Sequence, residues 1–142
     1  MPGRARPRIV FHGAVVLLVG FACGLPAVPE TMGGPLAGWR AAHNALILAG
    51  VWLIAVAAAF PVIVLPRREA TALVASLIAA AYAFTTAILI QTVTGERAFG
   101  PTDSPALLIA FAANLVAVLG TFLSTGLVLI GARAALKDAR NA

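Results

Sequence analysis

"WRAAHNALILAGVWLIAVAAAFPVIVL", Trp39 to Leu65, runs for 27 residues with a single charge, Arg40, at its second position. About 20 apolar residues in a helix cross the ~30 Å hydrocarbon core of a bilayer. A helix this long in a water-soluble protein would carry a polar stripe on its outer face. Here the polar side chains, Arg40, His43 and Asn44, all fall within the first six residues. The stretch therefore reads as a membrane-spanning helix with its few polar groups gathered at one end.

Outward from this run the same pattern recurs. A first apolar run, about 9–28, follows the basic "MPGRARPR". A third, about 70–93, follows "LPRRE" and ends in "TGERAFGPTDSP". A fourth, about 105–132, precedes "RAALKDARNA". With 61% hydrophobic and 11% charged residues, the chain of 142 residues has a mean hydropathy of +1.00. The expected fold is all-α, an integral membrane four-helix bundle forming one transmembrane domain over 1–142, with no room for a separate soluble domain.

Charge sets the orientation. With four crossings, Arg4, Arg6, Arg8, Arg67, Arg68, Arg133, Lys137 and Arg140 share one side, and Arg40 and Arg97 lie on the other. The positive-inside rule then puts both termini in the cytoplasm of a bacterial-type inner membrane. Orientation and anionic membrane lipid account for the net charge of +5, so the high pI calls for no nucleic-acid partner. Basic residues, an apolar segment and small residues around "FACGLP" also resemble a cleavable signal peptide. Retention of the first helix is the expectation, and an intact mass distinguishes the two. The one cysteine, Cys23, allows no intrachain disulfide, and there is no C-x-x-C-H for covalent haem attachment.

Polar groups at bilayer depth need a reason, because hydrocarbon offers them no partner. His12, His43, Asn44, Ser76, Tyr82, Thr85, Thr86, Gln91, Asn114, Thr121, Ser124 and Thr125 make up this set, and no Asp, Glu, Lys or Arg lies mid-helix. That absence argues against a proton-coupled four-helix multidrug transporter, which needs a titratable carboxylate in its path. The hydroxyls are expected to bond back to their own helix backbone, and Asn114 to make an interhelical hydrogen bond.

His12 and His43 fall near opposite ends of their helices, roughly 25 Å apart on that reading, too far to share a metal. One imidazole nevertheless suffices for haem, whose porphyrin supplies four nitrogens. Trp39, His43, Leu46, Ile47 and Gly50 share a helix face, and Arg40 and Arg97 lie on the right side of the membrane to meet propionates. The same Trp, Arg and His at a helix end also form an ordinary interfacial belt. Spacing leaves both readings open.

Read in order, "FHGAVVLL", "GGPLAGWRAAH", "GERAFGP" and "IGARAALK" resemble the styrene oxide isomerases, over about His12 to Lys137. The resemblance implies a four-helix membrane protein, a homotrimer with haem b near the subunit interfaces, and His43 as the axial ligand. It also implies ferric iron acting as a Lewis acid on a small lipophilic epoxide, which rearranges to an aldehyde or ketone. Trp39, Arg40 and Arg97 would be further cofactor-binding residues, and Ala49, Ile88, Ala80 and Tyr82 the candidate pocket lining.

The sequence departs from the family at the pocket. The family's asparagine six residues after the histidine is Ala49 here, and its helix-three tyrosine and aspartate fall at Ile88 and Ala80; its arginine stands one place later than Arg40. A shift in helix three would bring in Tyr82 or Gln91. Three readings follow: a haem b epoxide isomerase, a non-catalytic haem-binding carrier or sensor, and a structural membrane protein with no cofactor.

Overall fold

The computed structural model describes residues 2–25 and 35–140. Four helices carry the fold: α1 (Pro2–Cys23), α2 (Leu36–Ala59), α3 (Arg67–Thr94) and α4 (Pro105–Arg140). All four contain segments long and apolar enough to cross a membrane, and among the described residues there is no strand. The chain is an all-α integral membrane four-helix bundle.

The helix limits differ from the sequence expectation for identifiable reasons. Rather than starting near residue 9, α1 starts at Pro2, because arginine is a good helix former and proline suits a helix start. It stops at Cys23, short of the expected end at 28, where Gly24 and the Leu25-Pro26 pair in the sequence disfavour further helix. In α2 the regular turns stop at Ala59 and give way to a 3-10 turn, Phe60–Val62. Pro61 lacks an N–H and disfavours helix in the residue before it. Gly95, with φ +72°, follows the end of α3 in the left-handed conformation, which glycine adopts without a Cβ penalty. Beyond residue 132, α4 continues to Arg140, since Arg, Ala, Leu and Lys sustain a helix after the apolar run has ended.

The bundle is two antiparallel hairpins. α1 lies along α2 and α3 along α4; the hairpins meet chiefly through α2 and α3, with a lesser contact between α1 and α3. Small residues set the approach within each hairpin. A Cβ on Gly50 would stand 2.9 Å from the Gly13 carbonyl oxygen, and one on Gly120 would stand 2.9 Å from Ala80 Cβ and 3.0 Å from the Ser76 carbonyl oxygen. Such contacts let backbones close up where hydrocarbon gives helices no hydrophobic drive to associate.

The buried core runs through Ile9, Val16, Trp39, Leu46, Leu53, Leu73 and Leu77. Outside it, Leu18, Phe21, Leu48, Phe122 and Leu129 are exposed, as lipid-facing positions should be. Ser76, Thr85, Thr94, Thr121 and Ser124 donate to carbonyls three or four residues earlier in their own helices, as the sequence led us to expect. Asn114 differs: its amide donates to the carbonyl of Ala98 in the α3–α4 connection, not to a neighbouring helix. The Ala98 N–H in turn donates to Gln91 Oε1. Two side-chain amides thus hold one buried loop residue, Ala98, from both sides, and Gln91 spends its own N–H on the Ala87 carbonyl. At the other membrane side the Val64 N–H donates to the Gly131 carbonyl, tying the α2–α3 connection to α4.

Candidate functional site

His43 occupies the second turn of α2, where that helix faces the end of α1. Its Nδ1 lies 2.8 Å from the Gly20 carbonyl oxygen. A carbonyl only accepts, so Nδ1 carries the proton and the lone pair resides on Nε2. Gly20 contributes one of the last four carbonyls of α1, which have no partner within their own helix. The Gly24 N–H, which would otherwise reach it, bonds Phe21 instead. The imidazole therefore caps α1, with its N–H aimed at the negative end of the helix. A backbone carbonyl on one ring nitrogen that fixes the other for a metal is the usual arrangement around metal-bound histidine.

Glycine makes room for the ring. A Cβ at position 24 would stand 2.5 Å from His43 Nδ1 and 2.7 Å from Cε1. Beside the ring lies a cavity of about 470 Å³, walled by Cys23 at the end of α1, by Gly24 and Leu25 just beyond it, and by Leu36, Trp39, Arg40, His43 and Asn44 of α2. Its size falls within the range of small-molecule sites. The wall combines an aromatic ring, a guanidinium, an amide and an imidazole with apolar surface. Trp39 is 2% exposed while Arg40 and Asn44 are exposed, so the cavity grades from an apolar floor to a polar mouth.

Three of the four residues expected to bind cofactor, Trp39, Arg40 and His43, thus share one wall. Arg97 does not join them among the described residues. It sits in the α3–α4 connection with its guanidinium 5.9 Å from the centroid of the Phe99 ring. The apolar face expected beneath a macrocycle is also occupied: Leu46, Ile47 and Gly50 pack on Gly13, Leu17 and Gly20 of α1. The open space beside His43 lies toward Leu36, Trp39 and Asn44 instead.

The candidate pocket residues separate. Ala49 and Ala80 line a second, smaller cavity of about 70 Å³ between α2, α3 and α4, with Trp52, Leu77, Phe84, Thr121 and Ser124. Ile88 packs at the edge of the core. Tyr82 turns to α1, where its hydroxyl lies 2.9 Å from His12 Nδ1. Six residues separate Ala49 from His43, about 240° of helical rotation, so the two point to different faces of α2. Ala49 and Ala80 thus line a different cavity from the one beside His43.

The histidines are also closer than the sequence suggested. Because α1 starts at Pro2, His12 is mid-helix, and it precedes the carbonyl that anchors His43 by eight residues, about 12 Å along the axis. That is still too far for one metal ion. Among the described residues no three His, Cys, Asp or Glu side chains gather at metal-binding distance.

Sequence reasoning missed the Gly20 carbonyl, Gly24 and the place of Asn44 in the wall. The first has no sequence signal once α1 is taken to run on to residue 28. Asn44 was visible as a polar residue beside the histidine.

A family model for styrene oxide isomerase matches residues 5–133. No curated protein and no solved structure matches the chain.

Proposed function

The chain belongs to the styrene oxide isomerase family, and from that membership and the His43 site we propose a haem b-dependent membrane isomerase that converts a small lipophilic epoxide to an aldehyde or ketone. The observation that carries this reading is the fixed tautomer of His43: Nδ1 is spent on the Gly20 carbonyl, which leaves Nε2 as a metal donor at the wall of a cavity of suitable size. His43 would hold the iron, Trp39 would cover one edge of the macrocycle, and Arg40, with Asn44, would meet its propionates at the polar mouth.

When bound, ferric haem supplies a Lewis acid to the epoxide oxygen. The chain's own contribution is to keep water out, since water would divert an opening epoxide to a diol. The cavity lined by Ala49 and Ala80 is walled mainly by apolar groups, with two hydroxyls, Thr121 and Ser124, that are engaged with their own backbone. Because it faces away from His43 of the same subunit, this cavity would work with a haem held by a neighbouring copy, as a homotrimer with haem at subunit interfaces would allow. The rearrangement is intramolecular: a C–O bond breaks, hydrogen migrates to the adjacent carbon, and the oxygen remains as a carbonyl.

One observation favours a second reading, a haem-binding carrier or sensor without isomerase activity. Ala49, Ala80 and Ile88 stand where the family resemblance calls for an asparagine, an aspartate and a tyrosine, and the cavity that Ala49 and Ala80 share offers no side-chain donor free of its own backbone. Absorption spectra of wild type and His43→Ala, both produced with ample haem, test the site. A Soret band in wild type that His43→Ala loses supports it, and no band in wild type refutes both haem readings. Incubating the haem-loaded protein with styrene oxide and other aryl and alkyl epoxides then separates isomerase from carrier by carbonyl formation.

A further inference from the structure

One polar pair is left unused by the site around His43. His12 of α1 and Tyr82 of α3 meet across the lesser helix contact, with Nδ1 and the hydroxyl 2.9 Å apart and the rings 5.5 Å apart, edge to face. Tyr82 lies deep, fifteen residues from the Arg67 end of its span and twelve from the Thr94 end, and its bond to His12 holds that ring at the same depth although Arg8 is only four residues away. Yet the pair is open, with Tyr82 37% exposed and the hydrogen bond itself exposed.

Donor counting decides what the pair can do. A phenol and a neutral imidazole own one O–H and one N–H, and their mutual bond uses only one of these. In either direction of that bond, one donor remains. Among the described residues neither side chain makes another hydrogen bond. A free donor facing hydrocarbon is costly, and lipid ester oxygens lie at the interface, out of its reach.

We propose that His12 and Tyr82 form an intramembrane binding site for the acceptor oxygen of a small bilayer-dissolved molecule, an epoxide, ether or carbonyl compound. Molecules that partition to this depth are largely apolar and carry a weak acceptor, which is the complement of one spare donor in an apolar wall. Phe11, 63% exposed and edge-on to the His12 ring at 5.3 Å, offers the aromatic surface for the rest of such a molecule. The site lies on the α1–α3 face, away from the His43 cavity, and does not depend on haem.

The chain has two histidines, so ring-15N histidine labelling gives two sets of NMR signals, and His43→Ala identifies those of His12. Protein in lipid nanodiscs is titrated with 4-fluoroacetophenone as the probe. The expected result is a shift of the His12 ring signals that saturates at one probe per chain, in wild type and in His43→Ala alike; Tyr82→Phe leaves the His12 N–H free and keeps the shift, whereas His12→Phe combined with Tyr82→Phe removes both donors and weakens probe binding at least tenfold, read from the fluorine signal of the probe. His12 signals that the probe leaves unmoved in wild type overturn the proposal without any variant. Undiminished binding to the double variant overturns it too. Because the shift is read in His43→Ala, failure of the haem reading and failure of this one are separate results.

Discussion

At position 24 even a methyl group would enter the space of the His43 ring, and real Cβ atoms do not sit that close, so the ring has to move. Gly24→Ala should therefore displace the imidazole from the Gly20 carbonyl and weaken haem retention by about tenfold, the scale typical of losing an outer partner of a metal ligand. Haem content per chain after purification measures it, and retention equal to wild type would contradict the placement of the ring. Legibility at this scale was partial. His43 announced itself as an imidazole at the head of an apolar run, but its partner is a backbone atom of another helix, and no side-chain pattern records such a partner. Tyr82 was visible too, yet its rotation toward His12 and away from Ala80 depends on how α3 faces α1, which spacing along one helix does not determine.

For the elements, length and apolarity were enough to place all four helices in the membrane, since a bilayer permits few other ways to satisfy a backbone. Their ends were less legible because charge marks where the bilayer stops, not where the helix does; α4 runs on to Arg140 through residues that favour helix in water. Packing between elements rests on small residues, and this can be tested. Gly120→Val would drive a branched side chain into Ala80 and the Ser76 carbonyl and should cost about 1–3 kcal/mol, read as a lower midpoint of thermal unfolding in detergent. Asn114→Ala frees one side of the clamp on Ala98. It should cost about 1 kcal/mol or less and act locally, raising hydrogen exchange at residues 95–104 while leaving α1 and α2 unchanged. Uniformly faster exchange across the molecule would mean that the clamp supports the whole bundle and not only the loop.

For the whole molecule, four crossings put the two termini on one side, and the arginine and lysine distribution predicts that this side is cytoplasmic. In a Cys23→Ala background, a membrane-impermeant maleimide applied from outside the cytoplasmic membrane should label Asp103→Cys and spare Lys137→Cys, and the reverse pattern would invert the topology. Within the most apolar window of α4 only 17% is buried, so one long face of the bundle is left to lipid or to further copies of the chain. The sequence showed that the helices were apolar all round but not that they would pair as two hairpins, because nothing in a helix apolar on every side says which face its neighbour takes. Ala49 and His43 were read together through the family resemblance, although six residues of helix already turn them about 240° apart.

The bond between His43 and Gly20 has a consequence for how such a site is inherited. Its acceptor is supplied by the place where a helix stops, so it persists under any change of side chain at position 20 that the helix packing tolerates. It is lost when the stopping point moves, even if every residue around the ring is kept. Comparing sequences position by position would score the first change as a loss and overlook the second. What this chain has to transmit is a length, the distance along α1 from its contacts with α2 to the Gly20 carbonyl in its last turn, and an insertion of one residue there should do more harm than most substitutions.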